Sequence, residues 1–155
     1  GQVMGQLQKK NPSTNPRILK IALVDTCFWY ALLDERDPYH KQAQIMWGNL
    51  NSMQYLIPWP VMYETLRTRL ARRPIAMQKF ATLLKRPNAI HLDDTRYRVE
   101  ALSMTLSGRQ SLALSLVDNV LRVMISDISL RVDCLYTFNQ KDFRDVCSRR
   151  SVAII

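Results

Sequence analysis

Three acidic residues of this chain interrupt patterns that are otherwise apolar. Asp25 ends a β-like apolar run, Glu64 follows a second run, and Asp118 lies inside a third. A carboxylate placed against apolar surface needs an ion partner or a metal ion. Mg²⁺ prefers oxygen ligands, lowers the pKa of a bound water and neutralises phosphate charge, which suits in-line hydrolysis. The three acids therefore indicate one shared cation and a phosphate substrate.

Each acid also has a simpler explanation when it is taken alone. Asp25 could be only the N-cap of the helix that follows it. Glu64 could pair with Arg67 or Thr68 on its own helix. Asp118 could be an exposed residue of an amphipathic helix. Three such acids in one small, strongly basic chain together favour the metal site.

The charge of the chain favours a polyanionic partner. Twenty-two Lys and Arg residues face 13 Asp and Glu residues, which gives a net charge of +9. Nucleic acid is the partner that this balance favours most, although a basic surface without function is the alternative. Arg67 lies beside Glu64, and Arg122 lies one helical turn after Asp118. Both arginines are candidate contacts to an RNA backbone.

The cysteines and histidines form no recognisable site. Cys27, Cys134 and Cys147 are an odd number and have neither CxxC nor Cys/His spacing. This pattern is typical of reduced thiols in a cytoplasmic protein and argues against a zinc site. His40 and His91 lie far apart, so no Ser/Cys–His triad is indicated.

Length and composition predict one domain with a short tail. The chain has 155 residues, and no apolar run approaches the roughly 20 residues of a membrane span. Residues 1–16 are rich in Gln, Asn, Ser and Pro and lack the apolar region of a signal peptide, so they are interpreted as a flexible tail. Residues 17–155 are predicted to form the domain.

The apolar pattern alternates between strands and helices along this domain. Predicted strands cover 18–24, 55–59, 89–92, 133–138 and 152–155. Predicted helices cover 27–33, 95–106, 111–128 and 141–146, and three more begin near residues 37, 60 and 74. Such alternation predicts an α/β fold with three α/β/α layers around a parallel sheet of about four or five strands. Ligands of such sheets bind beyond the carboxyl ends of the strands, where Asp25 and Asn139 are expected to lie.

Four stretches carry a resemblance to a known family. They are residues 22–27 (ALVDTC), 60–67 (PVMYETLR), 115–118 (SLVD) and 136–143 (YTFNQKDF). In order and spacing they resemble PIN-domain proteins and are most similar to the VapC-type toxin ribonucleases of VapBC systems. The resemblance covers the chain from Ile18 onward. It implies an RNA-cleaving enzyme that binds one or two Mg²⁺ or Mn²⁺ ions through a cluster of acids.

The resemblance also assigns the ligand positions. Asp25, Glu64 and Asp118 match three acids of the family and would be both metal ligands and catalytic residues. The fourth position, commonly Asp in a Thr-x-Asp pattern, is Asn139 here. An Asn can offer a carbonyl oxygen to a cation, but it brings no charge, and it could instead be a turn residue at the strand end. Asp142 could compensate, although capping or salt-bridging the short helix is the simpler interpretation.

Supporting residues and partners complete the hypothesis. Thr26, Ser115 and Thr137 could orient carboxylates or waters around a bound ion. The resemblance implies a small antitoxin as protein partner and a homodimer. One alternative, motivated by Asn139, is a catalytically weak or inactive PIN-type domain that binds RNA or acts as a scaffold. A doubly wound nucleotide-binding or regulatory domain is a third possibility, but the chain has neither GxGxxG nor a P-loop.

Overall fold

Five short parallel strands form the centre of the molecule. The computed structural model describes residues 19–108 and 114–155. The strands are β1 (Ile21–Val24), β2 (Gln54–Pro58), β3 (Ala89–Leu92), β4 (Cys134–Tyr136) and β5 (Ala153–Ile154). Their order in the sheet is β3-β2-β1-β4-β5, and every pairing is parallel. Parallel pairing requires a crossover from the end of one strand to the start of the next.

Helices provide these crossovers and cover the sheet. In the described part of the chain they are α1 (Thr26–Leu33), α2 (His40–Leu50), α3 (Trp59–Thr65), α4 (Thr68–Ala71), α5 (Pro74–Leu84), α6 (Arg98–Ser107), α7 (Leu116–Ser126) and α8 (Arg144–Arg150). The result is the predicted three-layer α/β/α architecture. None of the described helices is long and apolar enough to cross a membrane.

Local sequence signals set several helix ends. Pro60 lies in the first turn of α3 and Pro74 begins α5, where a missing backbone N–H breaks no helical hydrogen bond. Gly108 ends α6 in the left-handed conformation, with φ of 59°, which glycine adopts without steric cost. The helix starts predicted at the two prolines and the end predicted at the glycine are confirmed.

Several predicted helices differ from the structure. The helix predicted near residue 37 begins at His40, and the predicted helix 95–106 begins with a 3₁₀ turn (Thr95–Tyr97) before α6. The predicted helix 141–146 is wrong, because a 3₁₀ turn (Gln140–Asp142) precedes α8 and the buried Phe143 between them has a non-helical φ of −129°. The predicted helix 111–128 is shorter, since Ser115 caps α7 and the helix ends at Ser126. Residues 111–113, the tail 1–16 and the start of the first predicted strand lie outside the described residues.

Aromatic side chains fill the core around β1. Ala22, Leu23 and Val24 have no exposed surface, as expected for a central strand that is covered on both faces. Trp29 of α1 packs edge-on against Tyr55 of β2, with ring centroids 5.6 Å apart. This contact packs α1 against β2, and Asp25 lies at the junction of β1 and α1.

The strand order creates a switch point at the centre of the sheet. After β1 the chain adds β2 and β3 on one side, then crosses to add β4 and β5 on the other. The last residue of β1, Val24, pairs with Tyr136 at the end of β4. The carboxyl ends of β1 and β4 therefore open the crevice in which doubly wound sheets bind ligands. Asp25 and Thr137 are the next residues of the two strands.

Candidate active site

Asp25 lies in this crevice and is held by several donors. Its backbone N–H donates to the Tyr136 carbonyl at 3.0 Å, which extends the β1–β4 ladder by one bond. The carboxylate Oδ1 accepts from the Thr26 N–H at 2.7 Å, and Oδ2 accepts from the Thr137 hydroxyl at 2.8 Å. The residue is 3% exposed. Asp25 is therefore an N-cap of α1 and, at the same time, a carboxylate buried at the switch point.

A second layer of contacts fixes these donors. The Thr137 hydroxyl accepts from the backbone N–H of Asn139 at 3.0 Å, so its own proton is directed at Asp25. The Cys27 thiol donates to Asp25 Oδ2 at 3.4 Å and accepts from the Phe138 N–H at 3.4 Å. From the sequence alone, Cys27 is only one of three reduced thiols. Its place in the first turn of α1, two residues after Asp25, was the available signal.

Burial makes the charge on Asp25 costly. Loss of hydration raises the pKa of this carboxyl from 3.8 to about 6, and the nearby charge of Asp118 adds to the rise, while hydrogen bonds from Thr137 and Cys27 oppose it. Burial, followed by the charge of Asp25, also raises the pKa of Cys27 to about 12. The thiol therefore remains a protonated donor. A positive charge in the crevice would reverse the cost at Asp25.

Asp118 enters the site from the start of α7. The Ser115 hydroxyl accepts from the Asp118 N–H at 3.1 Å, and Asp118 Oδ2 accepts from the Ser115 N–H at 3.2 Å. This reciprocal pair is a capping box, which satisfies two N–H groups at the helix start. Ser115 thus orients the Asp118 carboxylate directly. That carboxylate lies close enough to Asp25 for its charge to affect the pKa there.

Glu64 has different neighbours. It is half-buried on α3, and its backbone carbonyl accepts from the Tyr30 hydroxyl at 2.8 Å. The exposed Arg67 donates to the Tyr30 oxygen at 3.3 Å. That hydrogen bond is the main cause of a raised Arg67 pKa, to which the charge of Glu64 contributes. Arg67 and Thr68 both lie beyond Thr65, the last residue of α3, so the pairing of Glu64 within its own helix that the sequence allowed is not formed.

The acids fit a cation only in part. Within residues 19–108 and 114–155, no three His, Cys, Asp or Glu side chains lie together in a group that could hold a metal ion. Asp25 and Asp118 approach each other, but Glu64 does not complete a cluster with them. The Thr26 hydroxyl is buried beside Asp25 and has no hydrogen-bond partner among the described residues. Since Mg²⁺ usually keeps several waters and binds one or two carboxylates, this pair with an unsatisfied hydroxyl fits a hydrated hard cation.

Two further predicted residues lie at the edge of the crevice. Asn139 is exposed and begins the 3₁₀ turn after β4. Arg122 donates to both carboxylate oxygens of Asp145 at 2.7 Å and to the Asp142 carbonyl at 2.8 Å. Its guanidinium is thereby bound within the protein. A role for either residue toward a metal or RNA stays a prediction.

The basic segment 67–73, which follows α3, is anchored by a buried acid that the sequence pattern does not single out. Asp34 is 1% exposed and ends α1. It forms ion pairs with Arg36, Arg69 and Arg73. Burial opposes ionisation, but the Arg36 N–H and the Arg73 charge hold the pKa of Asp34 below its ordinary value. The dense arginines between residues 67 and 73 were the available signal for such a partner.

Comparison with known proteins identifies the fold. No model of a known protein family matches the sequence, and no curated protein matches it. Among solved structures, the chain is similar to the Sarcin-Ricin loop cleaving toxin VapC20 of Mycobacterium tuberculosis, with 20% identity and a TM-score of 0.63. The match covers 80% of this chain and 94% of VapC20. The chain has a VapC-like fold. The predicted PIN-like architecture is therefore confirmed.

Proposed function

We propose that the chain is a metal-dependent endoribonuclease that hydrolyses RNA phosphodiester bonds. The observation that carries the proposal is the buried Asp25 carboxylate at the switch point, with Asp118 beside it. Burial makes the ionisation of this carboxylate unfavourable for folding. Such a residue is a poor choice for a purely structural role, but it suits cation binding. The VapC-like fold and the net charge of +9 support RNA as the substrate.

The acids have different tasks in this proposal. Asp25 and Asp118 would hold Mg²⁺ or Mn²⁺, and Glu64 and Asn139 are the further oxygen donors of the set. When bound, such an ion neutralises phosphate charge and lowers the pKa of water, as hydrolysis requires. The chain contributes the positions of the ligands, which arise from the end of β1 and the start of α7.

Three hydroxyl side chains would support those ligands. Thr137 donates to Asp25 and Ser115 is hydrogen-bonded to Asp118, so both restrict carboxylate rotation before any ion binds. The unsatisfied Thr26 hydroxyl would bond a water of the ion. Ser115 and Thr137 would thus position the two carboxylates, and Thr26 would position the water.

The RNA backbone would be bound by arginines near the crevice. Arg67 is exposed on the segment anchored by Asp34 and is the leading candidate. Arg122 would reach a phosphate only if it released Asp145, because both its Nη atoms bond that carboxylate. We therefore expect substitution of Arg67 to weaken RNA binding more than substitution of Arg122 does.

Protein partners are part of the proposal. By analogy with VapC-type toxins, we propose a small antitoxin that covers the crevice, a homodimer and a cytoplasmic location. Ile45 on α2 and Ile75 on α5 are 78% and 71% exposed, and such side chains could supply a dimer surface. All three cysteines are free thiols, which suits a reducing compartment.

The direct test is RNA cleavage by the purified chain with Mg²⁺ or Mn²⁺, beside EDTA and the Asp25→Asn variant. We expect cutting that EDTA and the variant both abolish. Asp133→Asn is a matched control, because Asp133 bonds the Ile21 N–H at the opposite end of β1 and should leave cleavage unchanged. Equal cleavage with Mg²⁺ and with EDTA would contradict the proposal.

A second candidate is an RNA-binding or scaffold domain without catalysis. It is favoured by Asn139 at the fourth ligand position and by the lack of a three-acid group among the described residues. This candidate requires RNA affinity that falls with rising salt concentration, without any Mg²⁺-dependent cutting. The same cleavage assay, combined with RNA binding, separates the two candidates.

A further inference from the structure

A small cleft opens beside the candidate active site. Its volume is about 290 Å³, and Cys27 and Asn139 form part of its wall. Tyr39 and Phe138 line it as well. The cleft therefore adjoins Asp25 through Cys27, and a group bound there would lie next to the proposed reaction centre. Its size suits one nucleobase rather than a duplex.

A column of parallel rings supports one wall of this cleft. Phe28, in the core, stacks with Phe138 at 6.0 Å between ring centroids and 17° between planes. Phe138 in turn stacks with Tyr39 at 4.5 Å and 11°. Tyr39 is 49% exposed, although its stacking on the half-buried Phe138 sets its orientation. An aromatic ring that is fixed and yet exposed is a surface on which unpaired bases stack, with little loss of side-chain entropy.

Polar groups in the cleft match one base better than the others. The Arg69 guanidinium is held by Asp34 and lies 5.2 Å from the Tyr30 ring centroid, and it lines the cleft together with Asp37. Asp37 Oδ1 accepts from the Tyr39 N–H at 2.9 Å. Guanine presents acceptors at O6 and N7, for which Arg is the commonest partner, and donors at N1 and N2, which a carboxylate accepts.

A basic cleft adjoins the first one. It also has a volume of about 290 Å³, shares Phe138 and Asn139 with the aromatic cleft, and is lined further by Lys141 and Arg144. Both cations are exposed, and neither forms an ion pair with another described residue. Asn139 thus stands between a site suited to a base and a site suited to a phosphate.

We propose that the two clefts form a nucleotide subsite, in which an unpaired guanine packs against Tyr39 between Arg69 and Asp37. Lys141 and Arg144 bind a phosphate of the same strand. This inference rests on the proposed ribonuclease function and adds the base that the enzyme selects beside its reaction centre. The Asn139 amide can donate a hydrogen bond to the nucleotide, which an ionised Asp at this position could not.

Binding of short RNAs tests the subsite without cleavage. The probes are 5′-fluorescein-labelled UUUUUUU and UUUGUUU, titrated with the full chain in EDTA and followed by fluorescence anisotropy. We expect the guanosine probe to bind about tenfold more tightly, as for one good base contact. Equal affinities for the two probes would overturn the proposal.

Variants of the exposed tyrosines locate the binding. Tyr39→Leu should weaken binding of the guanosine probe about tenfold, the loss expected for one stacked base, and Tyr39→Phe should restore it. Tyr63→Leu is the matched control, because Tyr63 is 74% exposed and lies outside the cleft. Wild-type affinity in Tyr39→Leu, or an equal loss in Tyr63→Leu, would refute the role of the stack. Melting temperatures show whether each variant folds.

The polar groups have separable effects. Asp37→Asn and Arg69→Gln should reduce the preference for the guanosine probe, whereas Lys141→Gln with Arg144→Gln should weaken both probes equally and flatten the salt dependence. An unchanged guanosine preference in the first two variants would overturn the base assignment. If the preference holds but Mg²⁺-dependent cleavage is absent, the subsite stands and the nuclease proposal fails. If Mg²⁺-dependent cleavage occurs but the two probes bind with equal affinity, the nuclease proposal stands and the subsite proposal fails.

Discussion

Replacing Asp25 by Asn should stabilise the metal-free protein at neutral pH while it abolishes the proposed activity. Asn has nearly the same shape, and its Oδ1 can still accept from the Thr26 N–H. The Thr137 hydroxyl and the Cys27 thiol, which now donate to Oδ2, can each accept one N–H of the new amide instead. The variant therefore removes the buried charge and preserves the packing around it.

The size and sign of this effect follow from the Asp25 pKa. Its rise from 3.8 to about 6 corresponds to about 3 kcal/mol, since each pH unit is worth about 1.4 kcal/mol. The folded state favours the neutral carboxyl. The contribution of Asp25 to the unfolding free energy is therefore fully present below pH 3.8, and it is lost as the pH rises through about 6. Asn stays neutral throughout. The variant should match the wild type near pH 4 and exceed it by about 3 kcal/mol near pH 7.5.

Urea denaturation in EDTA between pH 4 and pH 8 measures the difference in unfolding free energy between the two proteins. Added Mg²⁺ should shrink this difference, because the ion binds only the folded wild type. Asp127→Asn is a control of opposite sign, since hydrogen bonds from Ser129 lower the Asp127 pKa to about 2. That variant should be less stable than the wild type at neutral pH. A difference between Asp25→Asn and wild type that does not change with pH would refute the reasoning.

Three further predictions concern the surroundings of the site. Ser115→Ala removes the capping box of α7 and should lower the unfolding free energy by about 1 kcal/mol, measured by urea denaturation. Asp34→Ala leaves its arginine partners without their shared acid and should lower the unfolding free energy by about 2 kcal/mol. The loss is smaller than for a fully buried ion pair because the arginines reach solvent. An unchanged urea midpoint would contradict this prediction. Cys27, with its pKa raised to about 12, should resist iodoacetamide at pH 8 in the folded protein and react in urea, as mass spectrometry can show.

Local sequence determined the elements of the fold. The apolar run that ends at Val24 predicted a buried parallel strand, and the prolines at 60 and 74 predicted helix starts, because these signals depend on neighbours in the chain. Asp25 could be placed at a strand end for the same reason. The predictions failed where a buried side chain overrides local pattern, as Phe143 does between the 3₁₀ turn and α8.

Tertiary structure alone decided which side chains meet. The bond between Thr137 and Asp25 joins residues 112 positions apart, and it depends on β1 pairing with β4, which no local pattern encodes. The same holds for Arg122, whose nearest acid became Asp145, and for Tyr39, which stacks on Phe138. Periodicity reports only whether a residue faces the core. The side chains that the residue contacts are set by strand order and helix packing, which minimise buried charge and exposed apolar surface over the whole chain.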